Sequence, residues 1–158
     1  MTTRHDFQIA TQALQEIQER AQSLPWANEN TWRCEGRLGE SGADLLIDLH
    51  GLSVSLGCRA VEAIAEVAPT LDCGAVVFVT GSGNHTGGVS RLRNAVLRLT
   101  QEIATDKEWR AHTEGPARVR LVFNEARVAA EGYGVLFWLF TLFFGAAVLA
   151  IGYDWLLH

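Results

Sequence analysis

Asp48 and His50 stand two apart in Ile47-Asp48-Leu49-His50-Gly51, and in an extended segment that spacing turns both side chains to one face. A carboxylate in that position can orient an imidazole, and an oriented imidazole is a general acid or base near neutral pH. Further along, Thr80-Gly81-Ser82-Gly83-Asn84-His85-Thr86-Gly87-Gly88 offers a second histidine among four glycines. Glycine permits positive φ and close approach of backbone to an anion. The amides of Gly81, Ser82, Gly83, Asn84, Thr86, Gly87 and Gly88 are therefore candidate phosphate contacts, with Arg91 and Arg93 just beyond them. Asp48, His50 and His85 are the candidate catalytic groups. The plainer alternative for Asp48 and His50 is a polar pair that closes a strand end, and for the arginines a solvated helix face.

Two common phosphate motifs do not fit. A dinucleotide fingerprint starting at Gly81 needs glycine where Thr86 stands, and a P-loop over 83–88 needs lysine where Val89 stands. Zinc on His50, His85 and Asp48 has no local ligand spacing behind it. Cys34, Cys58 and Cys73 are odd in number and widely spaced, which argues for a reducing compartment rather than disulfides or a metal knuckle.

The elements that must position these groups can be read from periodicity. Residues 43–49 form a short, largely buried strand. A helix capped by Ser53 follows, with Val54, Cys58, Val61, Ala65 and Ala68 on its core face and Pro69 as its stop. The continuous apolar run 75–80 is a second strand that opens into the glycine-rich stretch. In the next helix Val89, Leu92, Val96, Leu99 and Ile103 face the core, while Arg91, Asn94 and Arg98 lie opposite and Arg93 on a flank. Strands over 109–113 and 118–123 flank the Gly115-Pro116 turn. This order implies an α/β domain over 43–124, two layers with helices covering a mixed sheet. If its first two strands are adjacent and parallel, their carboxyl ends share the edge where open α/β sheets bind ligands, and Asp48, His50 and His85 converge there.

The rest of the 158 residues divides sharply. Phe7, Ala10, Leu14, Ile17, Ala21 and Leu24 make one stripe of an amphipathic helix over 1–24, open to packing on the domain, to a protein partner or to a membrane surface. Residues 25–42 read as a linker and 125–132 as a connector. The first 20 residues are polar, without a signal-peptide core. Residues 134–153 carry no charge, and a helix of that length spans roughly 30 Å, the thickness of a bilayer core. Tyr133, Trp138, Tyr153 and Trp155 lie near its ends, and Arg118, Arg120 and Arg127 precede it, so 133–157 is expected to be a single membrane pass with the domain facing the cytosol. The chain has net charge −5, yet residues 80–121 hold seven lysines and arginines against four acids. Acidity excludes a protein that coats nucleic acid with its whole surface, but not one with a local basic patch.

The Asp-Leu-His-Gly element, a helix, an apolar strand and the Gly81-Ser82-Gly83-Asn84-His85-Thr86 loop resemble the Smr (small MutS-related) domain family over roughly residues 44 to 124. The resemblance implies a fold similar to the C-terminal domain of translation initiation factor 3, and endonuclease activity on RNA or nicking activity on DNA. By position, Asp48 and His50 match the Asp-x-His element and Gly81, Gly83 and His85 match the glycine loop. Many relatives carry arginine or lysine where this chain has Ser82, a phosphate contact that Arg91 or Arg93 would have to supply.

The expected activity is thus phosphodiester cleavage by a membrane-tethered domain. With RNA the 2′-hydroxyl is the nucleophile and no cofactor is required. With DNA a water must be activated, and a divalent ion such as Mg, held by Asp48, is then expected. The competing expectation is a nucleic-acid or ribosome-binding adaptor that keeps the fold without cleavage.

Overall fold

Small hydroxyl side chains set where the helices begin. In a computed structural model, which describes residues 2–23, 31–81 and 90–128, Thr3 and Asp6 form a reciprocal capping box at the start of α1 (Arg4–Gln22). Ser53 accepts from the Leu56 amide to open α2 (Val54–Val67), and Ser90 accepts from the Arg93 amide to open α3 (Arg91–Asp106). The strands are β1 (Leu38–Ser41), β2 (Asp44–Asp48), β3 (Ala75–Val79), β4 (Arg110–Glu114) and β5 (Arg118–Val122).

They form one mixed sheet in the order β1-β2-β3-β5-β4. Only β2 and β3 pair in parallel, with Asp48 opposite Val79; the other pairs are antiparallel. The expected two-layer α/β arrangement is therefore present. Leu45, Ile47 and Leu49 from β2 and its extension meet Val76 and Phe78 from β3 in a core shared with α1, α2 and α3. On the opposite face Arg120 lies 2.7 Å from Asp44 and 3.5 Å from Glu114.

Several expectations change. Of 25–42, residues 31–42 are part of the domain rather than a linker: Cys34–Gly36 make a 3₁₀ turn, and β1 pairs with β2 across a turn at Gly42, φ 65°. Four residues reading Leu-Gly-Glu-Ser are too few and too polar to show a strand period, and backbone pairing alone places them. The stripe of α1 is used inside the domain, since Ala10, Leu14, Ile17 and Ala21 are buried in its core and α1 packs on α2. That removes it as a face for a partner or membrane. The core face of α2 is turned from the expected one: Leu56, Gly57, Ala60 and Ile64 join Val61 and Ala65, while Val54 is exposed and Cys58 only half-buried. Thr100 and Ala104 complete the buried face of α3, with Leu99 and Ile103 at its margin.

The apolar run 134–153 and the expected membrane pass over 133–157 lie outside the described residues. Among the described residues, no helix is long and apolar enough to cross a membrane.

Candidate functional site

The parallel pairing of β2 and β3 continues one residue beyond the strands, where the Leu49 amide donates to the Val79 carbonyl at 2.8 Å. After Leu49 the chain reverses through Gly51, φ 93°, and this turn leaves His50 exposed at its tip. On the neighbouring strand, the Thr80 amide and hydroxyl both donate to the Ala117 carbonyl, at 2.8 and 3.1 Å. Gly81 then takes a φ of 79°. A Cβ on Gly81 would stand 2.9 Å from His50 Nδ1, so the imidazole lies against the bare α-carbon of this glycine. The two strand ends therefore meet as their sequences imply, through a ring seated on a glycine.

The role of Asp48 differs from expectation. Its Oδ1 accepts from the His50 backbone amide at 2.8 Å, and its Oδ2 accepts from Arg37 Nη1 at 2.5 Å. Both partners of the ion pair are 28% exposed. Asp48 thus shapes the turn that carries His50, rather than orienting the imidazole itself. A negative charge at a strand end is neutralised more cheaply by the arginine just before β1 and by a local amide than by a mobile ring. Arg37 is placed by the register of the hairpin, in which its carbonyl accepts from the Asp48 amide at 2.7 Å. Beneath them Trp32, 1% exposed, donates from Nε1 to the Asp48 carbonyl at 3.0 Å, and Gln18 of α1 accepts from the Cys34 amide.

Gly57 sits in the first turn of α2 and Leu92 in the first turn of α3, and the Leu92 side chain occupies the space where a Gly57 Cβ would be. That contact packs the first turns of α2 and α3 against each other. Arg91 is exposed; Arg93 is half-buried, with a buried Nε that has no hydrogen-bond partner among the described residues. The register Val79↔Arg118 brings exposed Arg118 to the same edge. Sequence reasoning missed Trp32, Arg37 and Arg118. Gly42, placed two residues from Asp44, is the one hairpin signal from which the Arg37–Asp48 pairing follows.

His85, with Ser82, Gly83, Asn84, Thr86, Gly87 and Gly88, lies outside the described residues. Asp48, named as the carboxylate for a divalent ion, has both oxygens engaged by an amide and a guanidinium. Among the described residues no group of three or more His, Cys, Asp or Glu is placed to hold a metal ion. Among the described residues, the groups around Asp48 are an amide and a guanidinium, which are not the oxygen ligands a divalent cation takes. All three cysteines are free, and burial raises each thiol, most of all Cys73, pushed up to about 11.

No family model matches the chain, and no curated protein matches it. Among solved structures, the chain is similar to the solution structure of the B3BP Smr domain, at 23% identity, covering 75% of this chain and 99% of that one with a TM-score of 0.35.

Proposed function

We propose that the chain is an Smr-type endonuclease domain acting on RNA, with His50 as its proton-transfer group and residues 133–157 as its membrane tether. The observation that carries the reading is the seat of His50 on Gly81, at the shared carboxyl edge of two parallel strands. In this reading His50 takes the proton from a 2′-hydroxyl. The 2′-oxygen attacks the adjacent phosphorus, the bond to the 5′-oxygen breaks, and His85 returns a proton to that leaving oxygen. The products are a 2′,3′-cyclic phosphate and a 5′-hydroxyl. Charge developing on the phosphoryl oxygens is met by the glycine-loop amides, the start of α3, Arg91 and Arg93. RNA is favoured over DNA because the nucleophile then comes with the substrate, while Asp48 is committed to Arg37 and to the His50 amide. The tether rests on the uncharged run 134–153 and its flanking aromatic and basic residues.

A second reading, a binding adaptor without cleavage, is favoured by one observation: the Asp48 carboxylate serves the backbone and Arg37 and leaves the imidazole without it. Incubating the detergent-solubilised chain with end-labelled RNA and DNA separates the two. Cleaved RNA with cyclic phosphate ends, insensitive to chelator, supports the enzyme. Binding of both nucleic acids with cutting of neither rejects it for the adaptor. Release of the chain from membranes by carbonate would remove the tether alone.

A further inference from the structure

Among the described residues the sheet has two open edges, β1 and β4, and only β4 carries a charge pattern that fits its own reverse. Its residues are Arg110-Ala111-His112-Thr113-Glu114, and positions 110, 112 and 114 share one face. Their side chains are 75%, 50% and 33% exposed. An edge of this kind presents unpaired backbone donors and acceptors that can add a strand.

We propose that β4 pairs antiparallel with β4 of a second copy, about a two-fold axis through His112, joining two five-stranded sheets into one. In that register Arg110 stands opposite the partner's Glu114 and Glu114 opposite the partner's Arg110, so both end pairs join opposite charges. Parallel pairing in register would set arginine on arginine and glutamate on glutamate, so the charges select the antiparallel, isologous arrangement. Arg110 already lies 2.6 Å from Glu125 of its own chain, and a guanidinium has donors enough to hold both carboxylates. On the other face Ala111 meets the partner's Thr113. Both are small, and they let the two α3 helices approach beside a groove of about 520 Å³ that lies between Gln101, Ala104 and Thr105 of α3 and residues 109–112.

The strand is ordered before it pairs, which lowers the entropic cost of association. The Trp109 amide donates to the Ala104 carbonyl at 2.7 Å, its ring packs on Phe123 at 5.7 Å, and Lys107 lies over its face. By contrast β1 has one charge, Glu40, in four residues and no self-complementary register. A pair of five-residue strands plus the groove is a small interface, so the dimer forms with rising concentration and is not obligate.

Disulfide capture in the full chain tests the register, because residues opposed at the two-fold approach to about 4.5–5.5 Å between α-carbons, within the span of a disulfide. In a Cys58→Ser background, His112→Cys should cross-link to a dimer under mild oxidation, in detergent and in membranes. Glu40→Cys on the β1 edge should not. Arg110→Glu should reduce His112→Cys capture at least tenfold, and adding Glu114→Arg should restore it, with melting of the purified variants confirming that each is folded. Capture at position 112 no stronger than at position 40 overturns the proposal, as does a dimer that ignores the charge reversal or is not rescued by the swap. Binding of another protein's extended segment to this edge, with the chain itself monomeric, overturns it too.

Discussion

The imidazole of His50 rests on the α-carbon of Gly81, with Nδ1 2.9 Å from the place a Cβ would occupy. Two segments about thirty residues apart in sequence are joined at this point by sterics and backbone geometry. The glycine is required twice: its φ of 79° is one that L side chains rarely adopt, and the ring fills the space a side chain would need. Because the seat lies beyond paired, buried strands, a ring is held on a rigid base while its edge stays open to solvent.

Gly81→Ala combines both penalties. Left-handed backbone strain costs about 1–2 kcal/mol in an L residue, and the methyl must also displace the imidazole. The thermal midpoint should fall by several degrees, on the order expected for such a loss in a domain of this size. RNA cleavage should fall at least tenfold at a temperature where the variant is still folded. Calorimetry with initial-rate measurements checks this, and a variant as active as the parent would remove the seat from the mechanism.

His50→Ala removes the only described imidazole at the edge where β2 and β3 end. Loss of a general base costs a factor of about 10²–10⁴, and the exposed position means little packing is lost with it. Cleavage should drop by that factor while the dissociation constant for a non-cleavable RNA stays within about twofold. Single-turnover rates and filter binding separate the two effects, and undiminished cleavage would take His50 out of the chemistry.

The main architecture was legible because it rests on patterns that survive without tertiary information. The runs at Leu45–Ile47 and Val76–Phe78, the Ser53 cap and the Gly115-Pro116 turn each report a local preference that agrees with the global fold. The adjacency of the strand ends that bear His50 and Gly81 followed from parallel neighbours sharing an edge, while the expected convergence with His85 lies outside the described residues. The roles of Arg37 and Trp32 were not legible, since they depend on β1, a strand specified by pairing across the Gly42 turn rather than by its own residues. The direction of the Asp48 carboxylate was misread for the same reason: period-two spacing puts two side chains on one face but does not say which neighbour a charge will prefer. The α2 face shifted because Gly57, a weak helix former, is needed for close approach of Leu92.

Arg37 and Asp48 offer a test of what the ion pair does. Each is partly exposed, so the pair itself is worth at most about 1 kcal/mol, and Arg37→Ala should cost no more than that in stability. Asp48→Asn keeps an oxygen for the His50 amide, whereas Asp48→Ala leaves that amide uncapped and the turn loose. Cleavage should therefore be reduced modestly in Asp48→Asn and strongly in Asp48→Ala. Equal losses in both would mean that the charge, and not the cap, is what the site needs.

Cys73 links stability to alkaline pH. Burial, reinforced by the nearby Asp6 charge, pushes its thiol from 9.0 up to about 11. Burial disfavours the thiolate because the charged form loses its hydration. Below pH 9 the thiol is protonated in folded and unfolded chains alike, and its contribution is constant. Between pH 9 and 11 the unfolded chain releases this proton while the folded chain retains it, so the unfolded state is favoured progressively as pH rises. The loss attributable to this group reaches on the order of 2 kcal/mol at the top of that window. Cys73→Ala removes the linkage at the cost of a small cavity, so it should be less stable than the parent at pH 7 and should lose less stability between pH 9 and 11. Urea midpoints of the two proteins across that range check the difference, and parallel curves would show that Cys73 ionises no later in the folded chain than in the unfolded one.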